Sequence, residues 1–131
     1  MRFETVTERA IEALVDAFYA KVRRDPALGP VFDRAIAEAD WPVHLAKMYA
    51  FWSSVMLTSG RYKGNPMAAH LAVPGLAEPL FARWLALFGE TAEALFVPEL
   101  AGVFRAKAAR IAESLRLGLF YRPGARATAD A

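Results

Sequence analysis

The 131-residue chain contains no cysteine, and this and other absences each exclude a class of protein. Without cysteine the chain cannot form disulfides, thiolate zinc sites or a cysteine nucleophile. No stretch approaches the roughly 18 consecutive apolar residues of a membrane span. Residues 1–14 include acidic side chains where a signal peptide would be apolar. We therefore expect a cytoplasmic protein that is neither exported nor inserted in a membrane.

The sequence also lacks any block of five or six like charges. Sixteen Lys and Arg residues against fourteen Asp and Glu residues leave a formal net charge of +2. This near balance does not favour nucleic acid as a partner. The hydrophobic share of 56% with 23% charged residues is typical of a globular chain that builds one core.

Apolar residues recur at helical intervals and no alternating strand pattern appears, which predicts an all-α fold. Thr5 and Glu8 have capping-box spacing for a first helix, which ends at Asp25-Pro26. The later elements are predicted as a tight helical turn from Pro26 to about Ile36, a helix capped by Asp40 that runs to about Ser59, a loop over residues 59–65, a short helix capped by Asn65, and two longer helices that begin at Pro79 and Pro98. The expected core residues are Ile11, Leu14, Val15, Phe18, Val22, Val31, Phe32, Leu80, Leu87, Phe88, Val103, Phe104, Ile111, Leu115 and Leu119.

Only two histidines occur, and both lie among apolar residues. His44 is in DWPVHLAKMYAFW, residues 40–52, and His70 is in NPMAAHLAVPG, residues 65–75. A neutral imidazole carries one donor and one acceptor, so an apolar setting costs free energy unless both find partners. Each histidine is therefore either a core residue satisfied by hydrogen bonds or part of a binding site.

Several kinds of site fit these histidines poorly. No Asp or Glu lies one helical turn from either histidine, and Trp41 and Met67 occupy the positions where Glu-x-x-His iron bundles carry glutamate. The serines have no strand-to-turn elbow for a nucleophile. Haem, by contrast, takes a single imidazole ligand inside a largely apolar pocket. His70, on a short helix flanked by prolines, is the candidate iron ligand, and its other N–H is expected to bond a carbonyl of the preceding turn.

The order of the segments resembles that of group III truncated haemoglobins, from Phe3 to about Leu119. No Gly-Gly pair occurs, whereas groups I and II carry glycine-pair motifs, so group III is favoured. The resemblance implies a truncated globin-like two-over-two helical sandwich that encloses haem b. We expect one domain over residues 1–121 and a disordered tail over residues 122–131. The segments that carry the resemblance are FYAKVRRDPALGPVF (18–32), WPVHLAKMYAFWSSVML (41–57), GRYKGNPMAAHL (60–71), FARWLALF (81–88) and RAKAARIAESL (105–115).

The resemblance also implies roles for individual residues. His70 matches the proximal iron ligand, and the polar distal cluster matches Tyr19, His44 and Trp84. The remaining candidates are Phe32 against the porphyrin, Met48, Phe51 and Leu71 as pocket walls, and Arg61, Tyr62 and Lys63 as propionate contacts. Each has an ordinary alternative, since aromatic and Met stripes at helical spacing are usually core and a polar loop is usually solvated.

The implied function is the binding of a diatomic gas, O₂, NO or CO, at a pentacoordinate haem iron. A polar distal pocket favours tight oxygen binding, or redox chemistry on O₂, NO or peroxide such as NO dioxygenase or peroxidase-like activity, over bulk oxygen transport. Redox chemistry would require a reductase, which the sequence does not identify. The alternative is a cofactor-free helical protein-interaction module, which leaves two histidines in apolar settings unexplained.

Overall fold

The computed structural model describes residues 2–73 and 76–120. The proposed C-terminal tail, residues 122–131, lies outside this range. The described chain is helical, and its only extended feature is a parallel bridge between Phe3 and Phe96. The helices are α1 (Glu8–Arg24), α2 (Gly29–Ala35), α3 (Trp41–Leu57), α4 (Pro66–Leu71), α5 (Pro79–Leu95) and α6 (Pro98–Phe120), with a 3₁₀ turn at Glu38–Asp40 before α3.

The prolines predicted to open helices do so, but two of the predicted N-caps, Thr5 and Asp40, do not cap their helices through the side chain. Pro66, Pro79 and Pro98 are the first residues of their helices, as expected of a residue with no N–H to leave unsatisfied. The capping box at Thr5 is wrong, because Thr7 is the N-cap and its Oγ1 accepts from the Ala10 N–H at 3.1 Å. Asp40 does precede α3, but its side chain makes no capping hydrogen bond.

The core lies where α1 packs against both α3 and α5, and α5 packs along α6. This arrangement confirms the predicted all-α globin-like sandwich, in which one pair of helices, α1 and α3, lies against a second pair, α5 and α6. The predicted stripe of α1 is fully buried, and Trp52 of α3 stacks on Phe88 of α5 with ring centroids 4.8 Å apart. Val103 is 42% exposed, so its assignment to the core is wrong. It lies one position before the buried Phe104, on the side of α6 that faces away from the core.

A close approach joins the end of α1 to the start of α2. A Cβ added to Gly29 would lie 2.8 Å from the backbone oxygen of Arg23, so only glycine fits there without a shift of the backbone. Asp25 closes the same turn, since its Oδ2 accepts from the backbone N–H groups of Ala27 at 3.0 Å and Leu28 at 2.9 Å. Over the described ranges, no helix is both long and apolar enough to cross a bilayer.

Candidate functional site

His70 lies on the short helix α4, whose start is specified locally. Asn65 is the N-cap, and its Oδ1 accepts from the Ala68 N–H at 3.1 Å. The Nδ1 of His70 lies 2.7 Å from the backbone oxygen of Pro66, one turn earlier. Because a carbonyl oxygen only accepts, this contact places the proton on Nδ1 and leaves the lone pair of Nε2 available. Metal-bound histidines commonly have this arrangement.

Tyr19 of α1 and His44 of α3 form a ring pair. Their ring centroids are 5.1 Å apart and the ring planes lie at 89°, so the contact is edge to face. Tyr19 is buried, and burial raises the pKa of its hydroxyl, which keeps it protonated as a donor. No hydrogen bond of this hydroxyl is found within residues 2–73 and 76–120. The pair therefore presents a neutral O–H group beside an imidazole.

The His44 ring has a buried nitrogen atom that makes no hydrogen bond to the described residues. This atom is Nε2. Burial is the main cause that lowers the pKa of His44 to about 4, and the positive charge of Lys47 adds to this effect. His44 is therefore neutral at physiological pH.

The third predicted distal residue, Trp84 of α5, is separated from Tyr19 by the ring of Phe18. Its ring stacks on Phe88 with 5.3 Å between centroids and an interplanar angle of 3°. Phe18 contacts both Trp84, at 5.2 Å, and Tyr19, at 5.0 Å. No ring contact joins Trp84 to Tyr19 or His44 in the described part of the chain. Its link to the pair is therefore through the Phe18 ring.

The predicted pocket walls differ in their surroundings. Phe32 of α2 contacts Tyr19 edge-on at 5.9 Å. Phe51 contacts the ring of Tyr62 at 5.2 Å, and both Phe51 and Met48 are half-buried against the core. Leu71, at the end of α4, is 47% exposed. Three of the four predicted walls thus lie on the half-buried faces of α2 and α3, while Leu71 is an exposed residue at the end of α4.

The loop before α4 contains the predicted propionate contacts. Arg61 forms an ion pair with Glu8 of α1 at 2.5 Å, although both side chains are nearly half exposed. Glu8 also accepts from the hydroxyl of the buried Ser53 at 2.7 Å. The backbone N–H of Tyr62 donates to Ser54 Oγ at 2.9 Å, and Lys63 is exposed. The loop is thus held to α1 and α3 by polar contacts.

Two features of the site were missed by the sequence reasoning. Trp41 packs on both members of the ring pair, at 5.3 Å from His44 and 5.9 Å from Tyr19. A signal for it existed, because residues three apart on a helix share a face. Asp25, with its side chain 3% exposed, pairs with Arg83 of α5 at 2.6 Å and holds the end of α1 to α5. Nothing in the sequence indicates this pair, since 58 positions separate the two residues.

These residues fit haem on the observations above. His70 offers one ring nitrogen with its orientation fixed from the other side, as an axial ligand requires. His44 offers a buried nitrogen with no protein partner. Phe32, Met48 and Phe51 offer half-buried apolar surface on neighbouring helices. This combination of one imidazole ligand, apolar walls and a few polar groups is what a porphyrin site needs.

Comparison with known proteins agrees with the family that the sequence resembles. No family model matches the chain. The group 3 truncated haemoglobin of Campylobacter jejuni is 36% identical over 126 residues, which cover 95% of this chain and 98% of that protein. The crystal structure of a group III truncated haemoglobin from Campylobacter jejuni superposes with a TM-score of 0.87 over 92% of this chain and 96% of the other. The chain therefore belongs to the group III truncated haemoglobins, a membership that implies haem as its cofactor.

Proposed function

We propose that the protein binds haem b through His70 and a diatomic gas on the opposite face, beside Tyr19 and His44. The observation that carries the proposal is the difference between the hydrogen bonding of the two imidazoles. The His70 ring is anchored through Nδ1 to Pro66, which leaves Nε2 free. The His44 ring has a buried Nε2 with no partner among the described residues. The first suits an iron ligand, and the second suits a group that meets an exogenous ligand.

Haem, when bound, supplies an iron whose sixth coordination position is open to O₂, NO or CO. The chain supplies the surroundings of that position. Burial keeps the Tyr19 hydroxyl protonated, so it is a donor at every physiological pH. Neutral His44 carries one donor and one acceptor nitrogen. Donors held in a largely apolar setting stabilise negative charge more strongly than they would in water.

Two potential donors so close together favour slow gas release or redox chemistry on the bound ligand over bulk oxygen transport. Redox turnover, as an NO dioxygenase or a peroxidase-like enzyme, would need electrons from a separate reductase. We place this function in the cytoplasm, in keeping with the absence of cysteine. Phe32, Met48, Phe51 and Leu71 are proposed to contact the porphyrin, with Trp84 behind the distal pair and Arg61, Tyr62 and Lys63 near the propionates.

Titration of the purified apoprotein with hemin tests the proposal. We expect one equivalent to be taken up with a Soret band near about 400 nm, and a reversible spectral change when CO is added to the reduced protein. A folded protein that carries no Soret absorption after unbound hemin has been removed by gel filtration would contradict the proposal. That result would favour the cofactor-free interaction module instead.

A further inference from the structure

Trp41 occupies the junction of three helices at the distal side of the site. It is the first residue of α3, and its side chain is buried, with 4% exposed. Its ring contacts Tyr19 of α1 at 5.9 Å and Phe32 of α2 at 6.4 Å, as well as His44 on its own helix at 5.3 Å. One indole ring therefore touches both members of the distal pair and one proposed porphyrin contact.

The orientation of His44 is not fixed by hydrogen bonds. No hydrogen bond to either nitrogen of its ring is found in the portion of the chain that the structure describes, and Nε2 is buried. The imidazole is flanked by two aromatic rings. Trp41 meets it at an interplanar angle of 86° and Tyr19 at 89°, both close to the perpendicular edge-to-face geometry. The imidazole plane is therefore set by the two flanking rings.

The indole is itself held in place from the α1 side. The Cζ atom of Arg23 lies 4.5 Å from the Trp41 ring centroid, within range for a cation–π interaction. The Arg23 guanidinium is held over the ring by an ion pair with Glu38 at 2.5 Å. Phe32 lies along another side of the indole, at an interplanar angle of 26°. Trp41 is thus fixed by groups that do not belong to the distal pair.

From this geometry we propose that Trp41 is a positioning residue that sets the ring orientations of His44 and Tyr19, and through them the polarity that a haem-bound gas meets. The proposal rests on the function proposed above and adds a residue to its site. Trp41 does not touch the gas. Its effect comes from holding two polar side chains at fixed angles, so loss of the ring should alter gas release more than it alters folding.

Substitution of Trp41 can be compared with an internal control on the same helix. Trp52 is equally buried, at 3% exposed, and its ring packs on Phe51, Phe88 and Phe104. Like Trp41 it touches one proposed porphyrin contact, but among the described residues it has no ring contact to Tyr19 or His44. Trp41→Met and Trp52→Met each replace a buried indole by a flexible apolar chain and should lower the melting temperature of the hemin-loaded protein comparably. Trp41→Phe and Trp52→Phe restore an aromatic ring at each position.

The readouts are the oxygen dissociation rate of the reduced protein and the C–O stretching band of a carbon monoxide probe. We expect Trp41→Met to change the oxygen dissociation rate by at least about threefold and to broaden the C–O band, because contacting residues in one network are energetically coupled. Trp41→Phe should fall between the parent and Trp41→Met. Both Trp52 variants should stay within about twofold of the parent, with an unchanged C–O band.

The outcomes separate this proposal from the function on which it rests. If Trp41→Met and Trp52→Met change gas release and the C–O band equally, Trp41 is only a core residue and the proposal is wrong. If Trp41→Met does not fold, the two phenylalanine variants decide, and identical C–O bands in them would overturn the proposal. A parent protein that takes up no hemin would contradict the proposed function, and the role of Trp41 with it.

Discussion

At the residue scale, the carboxylate of Asp25 is buried and depends on its hydrogen-bond partners. It accepts from two backbone N–H groups, and the hydrogen bond from Arg83, which is the largest cause, lowers its pKa. A carboxylate whose pKa is lowered by folding stabilises the folded state fully above its unfolded pKa, about 3.9, and this contribution is lost progressively as the pH falls from that value through the lower pKa of the folded state.

Asp25→Asn should therefore lower the free energy of unfolding by about 1–3 kcal/mol at neutral pH, in the range for hydrogen bonds to charged groups. The difference from the parent should shrink as the pH falls below about 4, where the carboxylate becomes protonated in the unfolded chain, and should vanish once the pH has also passed the lower pKa of the folded state. Urea unfolding at pH 7, 5 and 3 measures it, with Asp33→Asn on the exposed side of α2 as the control. A deficit that is constant across the pH range would contradict this interpretation of the ion pair.

Tyr19 and His44, as a contacting pair, should act on the bound gas as a unit. Because a neutral hydrogen bond contributes roughly 1 kcal/mol, Tyr19→Phe should change the oxygen dissociation rate by about five- to tenfold. A double-mutant cycle with His44→Leu should give a coupling energy above about 0.5 kcal/mol. The same cycle between Tyr19→Phe and Trp84→Phe should give a smaller one, because Phe18 mediates that contact.

Two single substitutions that leave the oxygen dissociation rate within about twofold of the parent, and a double variant that simply adds them, would disprove this role. In that case the Tyr19–His44 contact would be part of the core alone.

At the scale of elements, α4 has only six residues and depends on its cap, since so short a helix is not stable by itself. Asn65→Ala removes the acceptor for the Ala68 N–H and should cost about 1 kcal/mol of local stability, whereas Asn65→Asp keeps it. Because His70 is on α4, we expect hemin to dissociate faster from Asn65→Ala than from the parent or from Asn65→Asp. Transfer of hemin to an excess of an acceptor globin measures the rates, and equal rates in all three would show that the cap does not support the ligand.

At this scale the sequence predicted features that depend on residues close together in the chain. The Asn65-Pro66 start of α4 followed from neighbouring residues, because a cap and a missing N–H act within one turn. The first cap was assigned to Thr5 because capping-box spacing alone does not reveal that Phe3 bridges Phe96 and that α1 begins only after Thr7. The Asp25–Arg83 pair and the packing of Trp41 on Tyr19 depend on how distant helices meet, which spacing within one helix does not encode.

At the scale of the whole molecule, haem should be part of the fold. Half-buried apolar residues such as Met48 and Phe51 would gain burial if they contact a porphyrin as proposed, and a ligand that binds only the folded state stabilises it by mass action. The melting temperature, followed by circular dichroism, should rise clearly with one equivalent of hemin. Superimposable melting curves with and without hemin would contradict a structural role for the cofactor.

The proposed function depends above all on His70 as the protein ligand of the haem iron, and replacement of that one residue tests this role. Hemin titrations of His70→Ala and His44→Ala should be followed by absorption in the ferric and ferrous states. We expect His70→Ala to lose stable hemin binding or to recover it only with added imidazole, and His44→Ala to retain hemin with one axial imidazole. Ferric and ferrous spectra of His70→Ala identical to those of the parent would contradict it.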